Sequence, residues 1–129
     1  MSIGLDTSVV IRLLVGTPEA QYQAARRRLE TALARGETVL VLDLVIAEAF
    51  HVLRHHYEIE EELVRERMRD FLRSGLVEPD PVGIADVFDA PESPGLVDRL
   101  VHLRCRARDA ALLTFDRRQG RLAGAELLR

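Results

Sequence analysis

The stretch Thr38-Val39-Leu40-Val41-Leu42 carries no charge and lies between two longer segments with helical patterning. A short apolar run placed this way reads as a strand buried on both faces, and such strands belong to parallel sheets covered by helices. The rest of the chain fits the same alternation. Ile3 to Leu5 is a first short apolar run, and Asp6-Thr7-Ser8 after it is a helix start, with the helix running through Leu14. Gly16-Thr17-Pro18 ends that helix and begins another from about Pro18 to Ala34, which Gly36 closes. Asp43 reads as the N-cap of a helix to about His56. Leu63, Val64, Met68, Phe71 and Leu72 form the apolar stripe of a helix over Ile59 to Arg73.

Gly75 to Glu78 reads as a short strand. Pro79 to Pro94 reads as a loop with one short helix near Ile84 to Phe88. A helix from about Gly95 to Arg106, a strand over Ala110 to Thr114 and a last strand over Ala125 to Leu128 complete the order. Strands alternating with helices indicate βαβ units and a mostly parallel α/β sheet. No repeat or linker interrupts the chain, so residues 1–129 are expected to form one domain around one core.

Composition narrows the chemistry. At 47% hydrophobic and 30% charged residues the chain falls among soluble globular proteins. No apolar run is long enough for a membrane span, and no basic segment followed by an apolar stretch marks a secretory signal. Cys105 is the only cysteine. That excludes an internal disulfide and a multi-cysteine zinc site, and suits a reducing cytoplasm. The net charge of −3 gives no global basic footprint for nucleic acid. All 18 basic residues are arginine, so local patches could still grip phosphate, although a genome that favours arginine codons gives the same count. The absence of lysine removes mechanisms that need one.

In open α/β sheets, ligands sit at the carboxyl ends of the strands. This chain repeatedly places an acid there. Asp6 follows the first strand, Asp43 the second, and Asp116 the strand that ends at Thr114. Glu48 and Asp98 interrupt the apolar patterning of their helices. One acid at an N-cap is ordinary and contributes about 1 kcal/mol. Glu48 is expected on a buried side, where an unpaired carboxylate would cost several kcal/mol or stay protonated. Carboxylates converging in one cleft need a cation, and oxygen ligands without cysteine select Mg²⁺ or Mn²⁺. One such ion, or a pair about 4 Å apart, activates water against a phosphodiester.

The stretches LDTSVVIRLL, VIAEAFHVL and GLVDRLVHLRCRARDAALLTFDRRQ together resemble the PIN-domain ribonucleases, specifically VapC-like toxins of prokaryotic toxin–antitoxin pairs. The resemblance covers nearly the whole chain in the right order. It implies a three-layer α/β/α sandwich with a mostly parallel central sheet and a Mg²⁺ or Mn²⁺ pocket holding one or two ions. It also implies hydrolysis of RNA by a metal-activated water, with Asp6, Glu48, Asp98 and Asp116 as catalytic metal ligands. Thr7 and Thr114 match positions that support the acids. The implied partners are RNA, a cognate antitoxin and a second copy of the chain.

Two positions depart from the family pattern. Asp43 stands where a small hydroxyl residue is usual and could be a fifth acid or only a cap. Arg99 stands where a small residue is usual and could contact RNA phosphate or pair with an acid. Asp89 is the competitor for Asp98 if the register is wrong.

Other readings are weaker. Glu48 and His51 form one Glu-x-x-His pair, and a di-iron site needs a second. His51, His55 and His56 read as surface residues at a helix end. His102 reads as a core or interface residue on the face of Asp98, and Cys105 as a buried small residue. An aspartyl-phosphate phosphatase with Asp6 as nucleophile lacks the second aspartate, since Ser8 occupies its place, and lacks the lysine; a phospho-receiver domain also lacks that lysine. The remaining rival is a catalytically silent PIN-fold subunit that acts only by binding.

Overall fold

The computed structural model describes residues 1–129. β1 (Ser2–Gly4) leads directly into α1 (Thr7–Val15). Asp6 caps α1, accepting from the Ser8 hydroxyl at 2.9 Å and, at 3.5 Å, from the Ser8 N–H. Gly16 ends the helix in the left-handed region at φ 81°, where its N–H reaches the Arg12 carbonyl at 2.8 Å. α2 (Glu19–Ala34) follows, then β2 (Thr38–Leu42), α3 (Asp43–His55) and α4 (Glu61–Leu72).

β2 is the centre of a three-stranded sheet. It pairs in parallel with β1, Ile3 opposite Val39, and with β3 (Glu78–Asp80), Val41 opposite Pro79. Val39 and Val41 are buried. They join Val10 of α1, Ile46 of α3, Met68 of α4 and Ile84 of α5 (Ile84–Val87) in the core. Helices layered against the parallel strands give the expected three-layer α/β/α arrangement.

The strand expected at Gly75 to Glu78 lies later, at Glu78–Asp80. Val77 enters the core just ahead of it. Pro79 is tolerated within β3 because this is an edge strand.

α6 (Leu96–Ala107) anchors to the core through Leu96 and Leu100. Beyond it, β4 (Leu112–Thr114) and β5 (Ala125–Leu127) pair in parallel as a second sheet, joined through a 3-10 turn at Gln119–Arg121. β4 and that turn pack on α6. The His102 ring donates from Nε2 to the Ala123 carbonyl at 2.6 Å, and the Arg106 guanidinium lies over Gly124, which is left-handed at φ 78°. Every strand pairing is therefore parallel, as the sequence implied, but the strands divide into two sheets. No helix is long and apolar enough to cross a membrane.

Candidate active site

The acids singled out in the sequence occupy three places. Asp6 stands exposed at the β1–α1 junction. Its carboxyl lies below the usual carboxylate range, chiefly because it accepts from the Ser8 hydroxyl and then from the Ser8 and Thr7 N–H groups. Thr7 is buried beside it at the first helical position. One carboxylate thus serves as the helix cap and remains open to solvent.

Asp98 and Asp116 form the second place, and Gln119 links them. Asp98 lies in the first turn of α6 and is half-buried. Its carbonyl accepts from the Gln119 side-chain amide at 3.1 Å. The Gln119 N–H donates to Asp116 Oδ1 at 2.9 Å, and the Arg118 N–H donates to the same oxygen at 2.8 Å. The buried Thr114 hydroxyl donates to Gln119 Oε1 at 2.8 Å and accepts from the Asp116 N–H at 3.0 Å. Thr114 therefore supports Asp116 directly, with Oδ2 of Asp116 left without a protein partner. Gln119 escaped the sequence reading because a glutamine between arginines and glycine carries no motif. Its only signal is its place three residues after Asp116, where a backbone N–H meets an aspartate side chain.

The third place is Glu48, on α3. It is exposed and forms no hydrogen bond or ion pair. The expectation of a buried side is corrected here. The buried stripe of α3 is Ile46, Ala49 and Leu53. At about 100° per residue, Glu48 points away from all three.

The acids do not meet as expected at one sheet edge. β4 pairs with β5 and not with the β1–β2–β3 sheet, so Asp116 is not drawn beside Asp6 by a shared ladder. No three acidic, histidine or cysteine side chains lie close enough together to share a metal ion. The donors are nonetheless all hard carboxylate oxygens, the chemistry Mg²⁺ and Mn²⁺ require.

The two departures have structural uses. Asp43 is the first residue of α3 rather than its cap. Its own Oδ1 accepts the Leu44 N–H at 2.9 Å, and both of its oxygens are held by Arg104. Arg99 donates to the carbonyls of Pro91, Ser93 and Pro94, so its guanidinium closes the preceding loop instead of facing phosphate. Asp89, the competitor for Asp98, is bound by Arg73 at 2.6 Å and Arg69 at 3.1 Å. Those two contacts, Arg73 first, hold its carboxyl below the usual range. An acid so neutralised is a poor metal ligand, whereas the Asp98 carboxylate has no ion-pair partner.

Two clefts flank α6. One of about 300 Å³ brings Asp98 together with exposed His51 and His55, whose rings lie 4.6 Å apart. The other, of about 480 Å³, is apolar and runs between α3 and α6, past Leu44, Val97 and Val101. Cys105 lines this second cleft and is half-buried, not fully buried as expected.

Parallel strands between helical layers, with carboxylates after β1 and β4 and in the first turn of α6, define an α/β protein that carries acids at its strand ends. The PIN domain model matches residues 3–125, and the chain belongs to the PIN domain family. PIN domains are generally nucleases, usually dependent on divalent metal ions. No characterised protein and no solved structure matches the chain significantly.

Proposed function

We propose that this chain is a Mg²⁺- or Mn²⁺-dependent endoribonuclease and the toxin of a toxin–antitoxin pair, similar to VapC-like members of its family. The observation that supports this most is the tie between the Asp98 backbone and the Asp116 carboxylate through Gln119 and Thr114, on a chain of a nuclease family. In this reading residues 1–129 act as one domain, and Asp6, Glu48, Asp98 and Asp116 supply the oxygen ligands for one or two ions. Thr114 orients Asp116, and Thr7 fixes the backbone at Asp6. Bound ions would activate water and neutralise charge on the phosphodiester. Holding them requires the corner formed by β4, β5 and the 3-10 turn to approach the β1–α1 junction. The partners in this reading are RNA, a cognate antitoxin and a second copy of the chain, in the cytoplasm.

The test is cleavage of single-stranded RNA by the purified chain with Mn²⁺ or Mg²⁺. Asp6→Asn and Asp98→Asn are expected to abolish it while circular dichroism stays unchanged. Asparagine caps a helix as well as aspartate does, so loss at Asp6 reports chemistry rather than folding. An Asp6→Asn variant that cuts as well as the parent would sink the reading.

A further inference from the structure

Charge is divided sharply along this chain. Residues 1–95 carry 17 acids against 10 arginines, a net charge of −7, whereas residues 96–129 carry 4 acids against 8 arginines, a net charge of +4. The use of the arginines divides in the same way. In the first part, seven of the ten are ion-paired to carboxylates. In the second part only Arg104 is, and its partner Asp43 belongs to the first part. Arg106, Arg108, Arg117, Arg118 and Arg121 are exposed and form no salt bridge. Codon preference would scatter free arginines along the chain, but these five collect at the end of α6 and on the β4–β5 connection, which pack together.

An aromatic ring lies within the group. Phe115 is 78% exposed, between Thr114 and Asp116, and takes no part in the core. Free guanidinium groups beside an exposed ring are the two elements of a single-strand nucleic-acid surface. Arginine forks take phosphates, and the ring stacks an unpaired base. Asp116 lies on this same β4–β5 connection, and Gln119 of the connection reaches the Asp98 carbonyl in the first turn of α6.

We propose that the corner formed by the end of α6 and the β4–β5 connection binds single-stranded RNA, with the five free arginines on the backbone and Phe115 stacked on a base. The assignment rests on the nuclease reading of Asp98 and Asp116, whose scissile phosphate this surface would deliver. An acidic protein segment would meet the same arginines but would gain nothing from base stacking on Phe115.

The test is the affinity of the full chain for a fluorescein-labelled single-stranded RNA dodecamer of mixed sequence, in EDTA, across a salt series. Each phosphate contact to a single strand adds about 0.7 to the slope of log affinity against log salt. Arg117→Gln/Arg118→Gln/Arg121→Gln is expected to lower that slope by about 2 and to weaken binding about tenfold or more. Phe115→Ala is expected to weaken binding roughly tenfold with the slope unchanged, as loss of one stacked base does. A control in the acidic part, Arg27→Gln/Arg67→Gln, which removes as many charges as Arg106→Gln/Arg108→Gln, is expected to leave both as in the parent. If the triple variant does not fold, Arg106→Gln/Arg108→Gln reads the same surface from α6.

Parental affinity and slope in the corner variants would overturn the proposal, as would equal losses in the control. A normal Phe115→Ala beside weakened arginine variants would also overturn it, and would leave an acidic protein segment as the partner of the arginines. The nuclease reading fails separately, if Asp98→Asn still cleaves.

Discussion

Arg104 grips Asp43 through two parallel hydrogen bonds, Nε to Oδ2 at 2.6 Å and Nη2 to Oδ1 at 2.7 Å, across 61 residues of sequence. The bidentate fork fixes the last turn of α6 to the first residue of α3. Asp43 is well shielded, with its side chain 12% exposed, while Arg104 is half-exposed.

Asp43→Asn is therefore expected to lower the melting temperature by a few degrees at neutral pH, because the amide cannot accept both arms of the fork. The effect depends on pH in a definite sense. The Arg104 hydrogen bonds, with the Leu44 N–H contributing, hold the Asp43 carboxyl below its ordinary value against the opposing effect of burial. The folded protein then binds fewer protons there than the unfolded chain. The stabilisation is complete above the unfolded value of about 4 and is lost as pH falls through the lower folded value. Denaturation of parent and variant across this acid range is expected to show the two curves converging.

Gln119→Ala tests the polar knot that supports Asp98 and Asp116. It leaves the buried Thr114 hydroxyl without its acceptor and removes the amide that reaches the Asp98 carbonyl from outside α6. A loss of about 2 kcal/mol is expected, since stranded polar groups carry their desolvation cost. Hydrogen exchange should locate the loosening in residues 112–127, with β2 protected as before.

Glu48 separates chemistry from stability. It is exposed and unpaired, so Glu48→Gln is expected to change unfolding free energy by less than about 0.5 kcal/mol. RNA cleavage with Mn²⁺ should nonetheless fall steeply if this carboxylate is a ligand. Unchanged cleavage in the glutamine variant would remove Glu48 from the site.

The order of elements was legible because each rests on local pattern: TVLVL as a buried strand, and Asp6-Thr7-Ser8 and Gly16 as helix punctuation. What was not legible depends on contacts between distant residues. Asp43 looked like a cap because its partner Arg104 lies at the far end of α6. Glu48 looked buried because apolar neighbours surround it in sequence, yet only Ile46, Ala49 and Leu53 face inward. Asp6 and Asp116 both follow strands, and strand ends share an edge only when the strands share a sheet. Here β1 and β4 do not. Nothing in either segment alone encodes which strand it will pair with.

The Gln119 knot has a mechanical consequence. The glutamine binds the Asp98 backbone through its side chain and the Asp116 carboxylate through its own N–H. The backbone of α6 at Asp98 and the Asp116 carboxylate are therefore tied to one residue. A tilt of α6 pulls on the turn that holds Asp116, while the Asp98 carboxylate, which has no protein partner, stays able to turn about its own side-chain bonds.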